Sequence, residues 1–177
     1  VSYTHNGSWN GILWSPDGTM VSNYDYGNDG DTITHGKIII SKIRKRVDTA
    51  NNNTQEYLED VDEITSFKCS CMFGDVRWSP DSLKIAVCKP TDKYIDFRNT
   101  IHVWDIASGH LVKSLSHIGD VKSIDWSPDC NRIATVSGSY QPGDNHYYAL
   151  QVWDLKDDPK VFHTIQVSKQ THCVRWS

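Results

Sequence analysis

Apolar and polar residues alternate along Val121-Lys122-Ser123-Ile124-Asp125-Trp126, the period of a strand with two unlike faces. After a Ser-Pro-Asp corner the chain returns as Arg132-Ile133-Ala134-Thr135-Val136, and earlier as Lys84-Ile85-Ala86-Val87-Cys88. Thr100 to Ile106 and Ala149 to Leu155 read as third strands, rich in β-branched and aromatic residues. Ala107-Ser108-Gly109 and Lys156-Asp157-Asp158-Pro159 turn the chain into fourth strands at Leu111 to Leu115 and Val161 to Val167. No stretch sustains a helical period, so the pattern predicts an all-β protein.

The pattern also repeats. Trp14-Ser15-Pro16-Asp17-Gly18, Trp78-Ser79-Pro80-Asp81-Ser82 and Trp126-Ser127-Pro128-Asp129-Cys130 are three copies of one element, and Trp176-Ser177 opens a fourth; the intervals are 64, 48 and 50 residues. Trp104-Asp105 and Trp153-Asp154 follow the second and third copies at 26 and 27 residues, where the first copy has Ser41-Lys42. Eleven residues before each later Trp sits Phe67, Leu115 or Ile165, with Ile64, Val112 and Phe162 three residues earlier. Recurrence at this period is the signature of stacked supersecondary units.

Four strands per unit, the Ser-Pro-Asp turn and the closing Trp-Asp resemble the WD-repeat β-propeller family over most of the chain. The resemblance implies a propeller fragment of three four-stranded antiparallel blades, at about 5–68, 69–116 and 117–167, and the first strand of a further blade over 168–177. It makes Trp14, Trp78, Trp104, Trp126, Trp153 and Trp176 core anchors, with Asp105 and Asp154 as their repeat partners. It also implies that His5 and His117, nine residues before a repeat Trp, close a hydrogen-bond network within a blade. Cys69 and Val167 stand at that His position in the other units. The family's Asp, six residues before the Trp-Asp tryptophan, is replaced by His35, Arg98 and Tyr147, so the repeats are divergent. Closed propellers have 4–8 blades. Val1 in place of Met, no signal peptide, and an ending inside a repeat element lead us to expect a piece of a longer chain, or blades completed by another subunit.

Two departures from the repeat stand out. Residues 44–62 read as an inserted polar loop, basic at Lys42, Arg44, Lys45 and Arg46 and acidic from Glu56 onward, either a solvated excursion or a basic address or docking tail. The connections between second and third strands carry Tyr24, Tyr26, Tyr94, Phe97, Arg98, Tyr140, Tyr147 and Tyr148. Trp9 lies outside the repeat pattern. Such residues anchor protein interfaces, because they bury large area at modest entropic cost, and these nine are the candidate protein contacts. Packing on neighbouring loops is the other reading of the same side chains.

Composition narrows the function. A net charge of −4 disfavours direct nucleic-acid binding, which draws on basic surface. No apolar run approaches the roughly 18 residues of a membrane span. Five cysteines, an odd and scattered set, suggest reduced thiols and an intracellular setting, cytoplasm or nucleus. Cys69-Ser70-Cys71 is too closely spaced for an ordinary zinc pair. No phosphate loop, nucleophile elbow or metal-binding helix occurs, so no catalytic residue, metal or cofactor is expected. The expected function is a non-catalytic protein–protein interaction scaffold, one subunit of a multisubunit assembly, contacting several proteins and the rest of its own propeller. The alternative is a module recognising a short, modified peptide at the central face.

Overall fold

The computed structural model describes residues 2–3, 11–29, 32–50, 53–69, 75–89, 98–139, 147–167 and 171–177. Side chains are described there except at 2–3, 25–29, 32–35, 46, 48–50, 53–61, 69, 89, 98–99, 118, 139 and 147.

The three Ser-Pro-Asp corners fold alike, for local reasons. In each, the serine hydroxyl donates to the aspartate: Ser15 to Asp17 at 2.6 Å, Ser79 to Asp81 at 2.5 Å, Ser127 to Asp129 at 2.6 Å. The same serine oxygen accepts the amide of the returning strand, from Met20, Lys84 and Arg132, at 2.9 Å each time. The fourth corner residue is left-handed, with φ of 71° at Gly18, 62° at Ser82 and 59° at Cys130. Only Gly18 adopts this without cost. Each turn then accepts an amide from the third strand or just beyond it: Ile43 to Thr19, Ile106 to Leu83 and Leu155 to Asn131.

The strands are β1 (Ser2–Tyr3), β2 (Gly11–Trp14), β3 (Met20–Asp29), β4 (Thr32–Ala50), β5 (Asn53–Cys69), β6 (Val76–Trp78), β7 (Lys84–Lys89), β8 (Arg98–Asp105), β9 (Leu111–Ile118), β10 (Asp120–Trp126), β11 (Arg132–Ser139), β12 (Tyr147–Asp154) and β13 (Lys160–Val167). They form three sheets in the orders β2-β3-β4-β5-β1, β6-β7-β8-β9 and β10-β11-β12-β13. Among the described residues there is no helix. Each sheet is a four-stranded antiparallel meander, and the first gains β1, parallel to β5, on its outer edge. The outer strand of every sheet is bulged at the same repeat position, so that Ile64, Val112 and Phe162 are skipped in the ladders.

Sheet packs on sheet in sequence. Ile38, Ile40 and Phe67 of the first meet Val76, Trp78, Ile85, Val87 and Ile106 of the second. Ala86, Cys88, Ile101, Val103 and Leu115 of the second meet Val121, Ile124, Trp126, Ile133, Trp153 and Leu155 of the third. Indole N–H groups seal both seams. Trp78 Nε1 donates to Ser22 Oγ at 3.1 Å and lies 3.3 Å from Leu13 O; Trp126 Nε1 donates to Arg77 O at 3.2 Å. The Asp75 carboxylate crosses the second seam, accepting from Ser123 Oγ at 3.1 Å and Ile124 N at 3.0 Å, and pairs with Arg77 at 3.0 Å.

Four expectations change. Trp14 is 43% exposed rather than a core anchor; among the described residues no sheet packs on it as the first and second sheets pack on Trp78 and Trp126. Residues 44–50 and 53–62 are strand rather than loop: the β4–β5 ladder runs unbroken in direction out to Ala50↔Asn53. In its register Lys42 stands opposite Asp62 and Arg44 opposite Glu59, and opposite-charge positions favour a ladder. Asn23 to Asn28 are likewise strand, paired with β4 as far as Asp29↔Thr32. The tail 171–177, expected as a first strand, forms no ladder. It still docks: Val174 and Trp176 pack on Ala134, Val136 and Leu150, and the Trp176 amide donates to Asp125 Oδ2 at 2.7 Å.

Candidate interaction surfaces

The meander connectivity sorts the surface into two ends. The Ser-Pro-Asp corners and the third-to-fourth connections share one end, with the β4–β5 ribbon rising from it. The other end is where β3, β8 and β12 carry Tyr24, Tyr26, Arg98, Tyr147 and Tyr148. Trp9, Tyr94, Phe97, Tyr140 and His5 lie outside the described residues. Tyr26, Arg98 and Tyr147 are placed by backbone only, on β3, β8 and β12.

Tyr24 and Tyr148 are described fully, and both are half-buried over a glycine on the neighbouring strand. Tyr24 pairs with Gly11 and Tyr148 with Gly138. A Cβ at Gly11 would collide with the Tyr24 ring, and one at Gly138 would stand 2.8 Å from Tyr148 Cε1. Both rings therefore cover backbone at the aromatic end, leaving part of their surface to solvent. The absence of a glycine Cβ is what lets them lie flat.

At the seam between the second and third sheets lies a polar network. His117, on β9, is buried; its Nε2 lies 2.8 Å from Thr135 Oγ1, and Trp153 Nε1 donates to the same oxygen at 3.3 Å. The His and Trp rings lie 5.5 Å apart. The network therefore joins two sheets and is not internal to one. Thr135 was missed at the sequence level, although its place nine residues after Trp126 is legible. At the same place the second sheet has buried Val87, and Trp104 stacks on Phe67 at 4.6 Å. Where the His position is Cys69, the hydroxyl is gone too. Losing both partners together avoids a buried, unsatisfied polar group.

The charged groups at the corner end are held ionised. The Ser127 hydroxyl, with Asn131, lowers the Asp129 carboxyl to about 2. Ser15 and Thr19 hold Asp17 below the ordinary carboxylate range, and Ser108 does so for Asp105. At Asp81 burial opposes the shift, but Ser79, Leu83 N–H and Lys84 outweigh it. These are turn-forming carboxylates. Burial pushes the Cys130 thiol up, away from the reactive thiolate. Cys88, Cys130 and Cys173 are free thiols, Cys69 is placed by backbone only, and Cys71 lies outside the described residues. Among the described residues no three His, Cys, Asp or Glu side chains gather as a metal site. Nor is any described helix long and apolar enough to cross a membrane.

No family model matches the chain. A periodic tryptophan protein 2 homolog of Caenorhabditis elegans is 34% identical over 79 residues, 43% of this chain and 8% of the relative's length. Among solved structures, the β-propeller domain of the Trilobed protease from Pyrococcus furiosus, described as having an open velcro topology, aligns over 90% of this chain and 42% of its own. Its TM-score is 0.57 at 18% identity. Kuenenia stuttgartiensis hydrazine synthase aligns over 90% and 42%, with TM-score 0.60 and 17% identity. A Pyrococcus horikoshii acylaminoacyl peptidase aligns over 84% and 23%, with TM-score 0.53 and 14% identity. At these identities the likeness is one of fold.

Proposed function

We infer, from the premise that this chain is a run of WD-type β-propeller blades, that it serves as a non-catalytic scaffold for protein–protein interaction within a larger intracellular assembly. The observation that carries this reading is the sealed stack itself. Two seams, each closed by an indole hydrogen bond and an apolar cluster, hold the three sheets as a firm frame. A firm frame holds its hairpins at fixed spacing, so a partner binds with little ordering cost. Aromatic residues at one end supply the anchoring residue types, with Tyr24 and Tyr148 lying over glycines and partly open to solvent. Free thiols at Cys88, Cys130 and Cys173 suit a reducing cytoplasm or nucleus. Although two of the structural neighbours are named for peptidases, a likeness of fold transfers no active site.

The test is affinity capture from native extract, using this chain and a variant with Tyr94, Phe97 and Tyr140 changed to alanine. The scaffold reading expects several stable protein partners, reduced in the variant. Recovery of no partner by the parent chain would overturn it. Recovery of a single short peptide, released by alanine at Trp9, Tyr94 or Tyr147, would favour peptide recognition at the central face instead.

A further inference from the structure

Ile64, Val112 and Phe162, the bulged residues of β5, β9 and β13, are all apolar and all exposed, at 41%, 42% and 58%. Leu111 and Val161, one residue before the second and third of them, are 43% and 40% exposed. Ile64 and Val112 stay open although a following sheet packs against their own, so a missing neighbour does not account for them. The rims of successive sheets meet at this level. A Cβ at Gly109, in the β8–β9 turn, would stand 2.7 Å from Thr65 Oγ1 on β5. Lys113 Nζ on β9 donates to Asp157 O in the β12–β13 turn. The exposed residues therefore form one belt, which crosses the outer strands rather than running along any of them.

Direction and spacing select the occupant. Bulges turn an edge away from strand addition, and a strand paired to one rim would miss the others. A helix satisfies its own backbone and can lie across strands. Stacked sheets are about 10 Å apart and seven residues of helix rise about 10.5 Å, so one helix face brings an apolar residue to each successive sheet. Charge sets the flanks. β9 from Leu111 to Ser116 and β13 hold Lys113, Lys160 and His163 and no carboxylate, while Asp157 and Asp158 precede β13 in its turn. Arg132 lies over the Phe162 ring, 4.6 Å from its centroid. At the first sheet, Glu63 beside Ile64 is paired with Lys37 at 3.6 Å. A second copy set belt to belt would bring Lys113 and Lys160 against their own kind. We propose that this belt docks an amphipathic helix of a partner protein, with an apolar seam and acidic side chains beside it. The seam would supply affinity and the flanking charges selection. This names one surface of the scaffold and rests on that reading.

The test titrates the full chain into a fluorescein-labelled synthetic helix of about three heptads, Leu at the first and fourth positions of each and Glu beside them, read by anisotropy. Controls are the same residues with the leucines scattered, the helix with Lys for Glu, and vesicles of phosphatidylcholine with phosphatidylserine. The Glu helix should bind at least about tenfold tighter than the scattered peptide, and changing Ile64, Val112 and Phe162 together to Ser should weaken it as much. Ile12→Ser, 41% exposed on β2 at the opposite edge of the first sheet, should leave binding unchanged. Lys113→Gln with Lys160→Gln should remove the preference for Glu over Lys. Circular dichroism checks that the Ser variant is folded, and Val112→Ser and Phe162→Ser made singly read the same loss in smaller steps. Undiminished binding by folded Ser variants, or equal binding of the scattered peptide, would overturn the proposal. So would self-association or vesicle binding of the parent chain that the Ser variant loses, since either gives the belt another occupant. Capture from extract separates the belt from the scaffold reading. If neither parent nor Ser variant recovers partners, the scaffold reading falls; if both recover the same set, the scaffold stands and the belt assignment is overturned.

Discussion

A left-handed backbone at a residue with a side chain carries a cost, and two of the three corners accept it. Ser82 receives the Asp17 amide on its hydroxyl at 3.1 Å, a bond from one corner to the next, which offsets its φ of 62°. Cys130, with φ of 59°, has a weaker compensation, its thiol lying beside Asp81 of the preceding corner. Cys130→Gly should therefore raise stability by about 0.5 kcal/mol, the balance of relieved strain against added unfolded-chain freedom. Ser82→Gly should gain less. Urea denaturation of the two variants checks the order. At the seam, Thr135→Val deletes the oxygen shared by His117 and Trp153 and should cost about 1–3 kcal/mol. A change below about 0.5 kcal/mol in the same assay would show that the network is incidental.

At the scale of elements, each sheet is held to its neighbour by an indole whose N–H ends on the preceding first strand or its partner. Trp126→Phe keeps most of the buried ring area and loses only the bond to Arg77 O, so it should cost about 1–2 kcal/mol. Trp126→Ala should cost about 3–5 kcal/mol in the same melts. Near-equal losses would mean that ring packing contributes nothing beyond the hydrogen bond. The corners were legible in the sequence because Ser, Pro, Asp and the left-handed residue act on their own backbone. The strands were legible because alternation states which residues are buried. The ribbon was not, because it depends on a register that sets Lys42 opposite Asp62 and Arg44 opposite Glu59, which a list of charges conceals. Similarly, Ser22 as acceptor for Trp78, and Asp75 as clasp on Ile124 N, depend on which sheets become neighbours. Spacing alone does not say so. Of the candidate contacts, glycine opposite Tyr24 and Tyr148 was the signal available and unused.

The molecule as a whole is a stack in which the middle sheet lies between two sheets, and the third has a sheet on one face and the tail segment 171–177 on the other. Leu115 on β9 is fully buried, whereas Ile165, its counterpart on β13, is 49% exposed. The corner carboxylates give this stack an acid limit. Asp129 titrates at about 2 when folded, below the roughly 3.9 of an unfolded aspartate, and Asp17, Asp81 and Asp105 are shifted in the same direction. Between those values the unfolded chain binds more protons, so stability is fully present above about pH 4 and is lost as pH falls toward 2. Thermal melts across that range should show the decline, and Asp129→Asn should make it shallower.

Amide hydrogen exchange, resolved by sheet, reads the stacking order directly. Protection should be greatest in the middle sheet, at Ile85 to Cys88 and Ile101 to Val103, and least along β13. Equal rates in all three sheets, or a middle sheet exchanging faster than β13, would contradict the account.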